Sequence, residues 1–160
     1  MTEYKHTIQH GVSYTGIGLH SGEISTIRFK PAGKDDGIVF IRVDLPDKPE
    51  IPADIDHVVD ISRGTTIGIN GAVVGTIEHV LSAIKGLNID NVRIEIDGPE
   101  APVADGSPIV FLNLLRQAGL VQQDSERVFF ELDAPISFSA PEENVDIVIV
   151  PSNELKVTFM

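Results

Sequence analysis

Within residues 63–87 the chain changes its hydrophobic period from two to 3.6, and that switch limits the folds open to it. RGTTIGI alternates as a strand, Asn70-Gly71 is a two-residue hairpin signal, and AVVG returns as a second strand. The apolar residues that follow, Ile77, Val80, Leu81, Ile84 and Leu87, gather on one side of a helix at 100° per residue. Thr76 is the expected N-cap of a helix at about 76–86, and Gly86 sits where it should stop. A hairpin leading directly into an amphipathic helix belongs to an α+β fold.

The flanking sequence agrees. HTIQHGVSY, EISTIRFKP, GIVFIRVD and NVRIEIDG read as further strands. SPIVFLNLLRQA reads as a second helix at about 107–118, opened by Ser107-Pro108 and closed before Gly119. Its Ile109, Phe111, Leu112, Leu114 and Leu115 are expected to cover one face of a sheet. The predicted architecture for residues 1–122 is a two-layer sandwich of a mainly antiparallel sheet and two helices. Polar residues Gln122–Glu126 read as a linker. Beyond it VFFELDAPISF, NVDIVIVP and ELKVTFM read as strands of residues 123–160, too short a stretch to bury its own sheet. The strand pattern still runs at Met160, and the expectation is the front part of a longer protein.

Charge excludes some partners. With 24 acidic against 12 basic residues the net charge is −12, which disfavours nucleic acid and anionic membrane surfaces. A small anionic substrate held by a few local cations remains compatible. No apolar run is long enough to span a membrane, and the amino-terminal residues lack the apolar core of a secretory signal, so a cytoplasmic location is expected. There is no cysteine, which leaves His and carboxylates as the strong zinc ligands.

Glu78 and His79 lie at the start of the first helix, off its apolar stripe. An imidazole beside a carboxylate on a rigid helix end suits a metal-assisted hydrolase. Equally, a Glu in the first turn complements the helix dipole, and a surface His needs no further role. His6 and His10 are four apart but on a strand pattern, a poor chelating geometry. His57 has acidic neighbours, and surface pairing accounts for it. His20 ends a glycine-punctuated turn, YTGIGLHSGE. Asp105-Gly106-Ser107 is either a binding loop or a turn feeding a capped helix.

Four segments together resemble one family: GIGLHSGE at 16–23, IPADIDHV at 51–58, GTIEHVLSAIKGLNIDNVRIEI at 75–96 and GPEAPVADGSP at 98–108. They are similar to the first domain of UDP-3-O-acyl-N-acetylglucosamine deacetylases, enzymes of lipid A synthesis in Gram-negative bacteria, with the match running from about residue 5 to 122. The resemblance implies a zinc amidase of two duplicated α+β domains with the active site between them. It implies that His79 is a Zn2+ ligand and Glu78 the general base. A second domain of the same protein would supply a His and an Asp as the other ligands, and a His that assists the leaving amine. His20, Ser62, Thr65 and Thr66 would line the cleft for the UDP-3-O-acyl-N-acetylglucosamine substrate. On this reading the 160 residues alone are inactive and bind zinc weakly. The alternative reading is a catalytically silent domain of the same architecture used for protein interaction.

Overall fold

The computed structural model describes residues 3–159, so Met160, where the last predicted strand pattern is still running, lies outside the described residues. The chain divides into one compact unit through Arg127 and a second from Val128 onward.

The first unit is α+β. Its strands are β1 (Tyr4–Ile8), β2 (Val12–Ile17), β3 (Ile24–Pro31), β4 (Ile38–Arg42), β5 (Glu50–Pro52), β6 (Val58–Asp60), β7 (Thr66–Ile69), β8 (Ala72–Val74), β9 (Val92–Ile96) and β10 (Leu120–Glu126). Its helices are α1 (Glu78–Gly86) and α2 (Ile109–Ala118). Five strands form the main sheet in the order β2-β3-β9-β4-β5, and only β4 with β9 runs parallel. That parallel pair is joined by a long crossover through the intervening elements and α1, as parallel pairing requires.

Period-two patterning decides which face of this sheet is covered. Ile27 and Phe29 of β3 lie beside Ile96 and Ile94 of β9, and all four are fully buried. The residues alternating with them carry charge pairs on the other face, Lys30 with Glu95 and Arg28 with Asp97. The helices cover the apolar face. α1 buries Val80, Ala83 and Ile84, with Leu81 and Leu87 packed at the margin. α2 buries Phe111, Leu115 and Ala118, and Phe111 meets Tyr14 and Phe29 edge to face, at centroid distances of 5.8 and 6.3 Å. Ile109, expected on the covered face, is instead 47% exposed at the first turn of α2.

Two smaller sheets complete the unit. β6, β7 and β8 form an antiparallel meander. Its Asn70-Gly71 turn has φ of 50° and 86°, the two left-handed positions of a tight hairpin. β1 pairs with β10, so Gln122–Glu126 is strand rather than the linker expected. Polar residues suit it because most of β10 is exposed, and ladder hydrogen bonds replace side-chain burial there. Arg127 follows at once, bonded to Asp90 through two nitrogens, to the Asn88 carbonyl and to Glu3.

The second unit contains an antiparallel hairpin of β11 (Ile136–Ala140) and β12 (Val145–Ile149). A single 3-10 turn at Pro141–Glu143 joins them, and Asn144 follows at a φ of 55°. VFFELDAPISF is therefore strand only in its final part, since Pro135 lacks the N–H a ladder needs. ELKVTFM forms no strand among the described residues. No helix of the described residues is long and apolar enough to cross a membrane.

Candidate active site

Glu78 opens α1 half-buried, held by one oxygen. Its Oε2 accepts the amide hydrogen of Thr65 at 2.9 Å. Gly64 lies against its other oxygen, where a Cβ would stand 2.9 Å from Oε1. RGTTIGI was expected to be strand throughout, but β7 begins only at Thr66. Arg63, Gly64 and Thr65 are thereby free to curl over the start of α1, and the Thr65 carbonyl accepts from the Ile77 amide at 3.3 Å. The next residue, His79, is also half-buried.

Thr76 is not the N-cap. Its φ is 56°, uncommon for a β-branched residue, and its buried hydroxyl donates to Glu100 Oε1 at 2.8 Å. The helix start has no side-chain cap; the hydroxyl that could have served has been drawn to a residue 24 positions away.

Beside this helix start lies a cleft of about 390 Å3, lined among others by His20, Ser62, Arg63, Thr66, Thr76 and Glu100. His20 reaches across it, with Nε2 3.0 Å from the Arg63 carbonyl oxygen. A carbonyl only accepts, so Nε2 carries the hydrogen and Nδ1 of the neutral ring presents a lone pair. Ser62 is tied to Asp60, its amide at 3.1 Å and its hydroxyl at 3.0 Å. Three of the four residues expected along a cleft, His20, Ser62 and Thr66, do share this one. Thr65 instead holds Glu78, and neither Glu78 nor His79 is itself part of the lining.

Glu100 is the residue the sequence reading missed. It is 6% exposed, yet its carboxylate is fully engaged. Oε1 accepts the His20 amide at 2.9 Å as well as the Thr76 hydroxyl, and Oε2 accepts the Ser21 amide at 2.7 Å. Burial alone would raise its pKa, but the hydrogen bonds from Ser21, the His20 amide and Thr76 outweigh it and hold the carboxyl at about 2. A glutamate between two prolines in a loop, GPEAP, carries no periodic signal by which to find it.

Asp105 serves the turn before α2: its Oδ1 accepts both the amide and the hydroxyl of Ser107, at 3.0 and 2.9 Å. Those bonds hold its pKa below the usual carboxylate range, and the nearby His79 adds to the effect. Ser107 Oγ in turn accepts the Ile109 amide, and Gly119 at a φ of 71° ends the helix as expected. His57 Nδ1 pairs with Asp54 Oδ1 at 2.6 Å, the surface pairing anticipated.

Among the described residues no group of three His, Asp or Glu side chains is placed to hold a metal ion. A zinc site takes three protein ligands. The side chains present therefore do not by themselves fit a zinc ion, and His79 is at most one ligand of such a site.

The family model for UDP-3-O-acyl N-acetylglycosamine deacetylase matches residues 5–160, well past residue 122. The chain is 51% identical over 160 residues to the bifunctional enzyme LpxC/FabZ of Chlorobaculum tepidum, covering 100% of this chain and 34% of that protein. It is 43% identical over 152 residues to the UDP-3-O-acyl-N-acetylglucosamine deacetylase of Bdellovibrio bacteriovorus, covering 95% and 50%. Against the protein of that name from Anaeromyxobacter it is 45% identical over 130 residues, covering 81% and 42%. The chain thus spans between a third and a half of the length of these relatives.

Proposed function

The chain belongs to the UDP-3-O-acyl N-acetylglycosamine deacetylase family, and from that premise we propose that it is the amino-terminal part of a cytoplasmic amide hydrolase of lipid A synthesis in a Gram-negative bacterium. Its substrate is UDP-3-O-acyl-N-acetylglucosamine. The observation that carries the reading is the setting of Glu78, fixed by the Thr65 amide through Oε2 while Oε1 takes no hydrogen bond among the described residues. A carboxylate with one oxygen held and the other without a hydrogen bond is oriented for proton transfer, and Glu78 acts as the general base that takes the proton of the attacking water.

His79, next in the chain, supplies one ligand of a Zn2+ ion, with the remaining ligands from a second domain of the same protein. The 160 residues alone are inactive. His20, Ser62 and Thr66 form the cleft wall that meets the sugar nucleotide, and Thr65 acts through Glu78. With Nε2 donating to the Arg63 carbonyl, the His20 ring in its neutral form offers Nδ1 as an acceptor to a substrate hydroxyl. Support comes from the names of the relatives and from the convergence of these residues around one helix start.

The test is Glu78→Gln in the longer protein. General-base removal should lower turnover by about 10²–10⁴-fold while bound metal is retained. Unchanged turnover overturns the base role and favours a domain that works by interaction.

A further inference from the structure

Glu100 joins three segments that are distant in sequence. The turn between β2 and β3 is bound to it through the amides of His20 and Ser21. The residues leading into α1 are bound through the Thr76 hydroxyl. Its own segment is bound through its main chain, where the carbonyl accepts from Ser25 Oγ at 2.8 Å. Gly75 and Glu100 form an isolated parallel bridge, and Gly18 and Pro102 form an isolated antiparallel one. Space around the carboxylate is closed as well. A Cβ at Gly18 would overlap Oε2 and stand 2.9 Å from Cδ.

The consequences are directional. His20 has two attachments, one at each end: its amide on Glu100 and its Nε2 on the Arg63 carbonyl. Arg63 belongs to the segment that, two residues on, presents the Thr65 amide to Glu78. Glu100 therefore fixes the backbone from which His20 projects and, through Thr76, the point from which α1 carries Glu78 and His79. Two amide donors and one hydroxyl aimed at one carboxylate demand an acceptor-only group. A neutral amide of the same shape would turn its NH2 toward a donor.

We propose that Glu100 is a positioning residue of the deacetylase site: it touches no reacting atom, but it registers the His20 turn against the start of α1 and sets the His20 ring in the cleft. This rests on the function proposed above.

The experiment combines two measurements on Glu100→Gln. The first follows amide hydrogen exchange in the 160-residue chain and needs no activity. Exchange at His20 and Ser21 should accelerate at least about tenfold, while Val92, Ile94 and Ile96 of β9 keep their protection. The second is a double-mutant cycle on kcat in the longer protein. Glu100→Gln should lower kcat about 10- to 100-fold with a KM change below about threefold, and should cost under about twofold more when His20→Ala is already present. Should Glu100→Gln not fold, Gly18→Ala, which displaces the same carboxylate, and Thr76→Val, which deletes one donor, enter the same cycle.

Additive losses in the cycle would overturn the proposal, as would unchanged exchange at His20 and Ser21. If the unsubstituted longer protein lacks deacetylase activity, the proposed function falls, and with it the positioning role. In that case the exchange result still reports whether Glu100 holds the turn. Wild-type activity with kcat unaffected by Glu100→Gln removes the positioning role alone.

Discussion

Gly64 lies against the Glu78 carboxylate so closely that a Cβ there would stand 2.9 Å from Oε1 and 3.5 Å from Oε2. The obstructed atoms are the far end of a flexible side chain, not backbone. Gly64 also has a φ of 157°, a conformation that L side chains rarely adopt, so Gly64→Ala should strain the loop as well as push Glu78 off its bond with Thr65. The expected outcome is a loss of kcat of about 10-fold or more, measured well below the thermal midpoint, beside a midpoint lowered by roughly 2–10 °C through the backbone strain. Parallel kinetics and thermal unfolding of the longer protein check it; equal loss of both would show that the glycine serves the fold.

Zinc gives a second expectation. With His79 as at most one ligand among the described residues, the 160-residue chain should bind Zn2+ with a Kd weaker than about 1 μM. Calorimetric titration of the metal-free chain, compared with His79→Ala, measures this directly. Tight, stoichiometric binding abolished by His79→Ala would mean that this chain completes a site that its described geometry lacks.

Acid stability should report Glu100. Its folded pKa of about 2 lies below the ordinary value of 4.5, so its ionised form stabilises the fold. That contribution is complete above pH 4.5 and is lost as pH falls toward 2. Glu100→Gln should cost about 1–3 kcal/mol at neutral pH, the usual consequence of unpairing buried donors, and the deficit should shrink as the wild type is acidified. Urea unfolding at pH 7 and pH 3 tests the convergence. A deficit independent of pH would assign the loss to shape rather than charge.

The parts of this fold legible in the sequence are those whose signal is local. Asn70-Gly71 named its hairpin because the turn itself demands two left-handed residues, and the stripe from Ile77 to Leu87 named the buried side of α1. Thr76 was misread because its hydroxyl answers to Glu100, a partner no capping pattern can anticipate. β10 was misread because an exposed strand can be as polar as a linker. β5 and β6, three residues each, are too short to show alternation. At the site, Glu78, His79 and His20 were visible as chemistry-bearing side chains at a helix start and a glycine turn. Glu100 was not, since its importance comes from the amides it collects and not from its neighbours in the chain.

The pairing of β1 with β10 brings Tyr4 opposite Glu126, and Arg127 grips Glu3 at 3.0 Å. The first unit thus starts and finishes on two adjacent strands running in opposite directions, with both outer ends on the same side. Tension applied at residues 3 and 127 would peel this ladder open one bond at a time, beginning at the Arg127 clasp, instead of loading all its bonds together in shear. In construction terms, such a closed module can be copied in tandem without threading either end through its core.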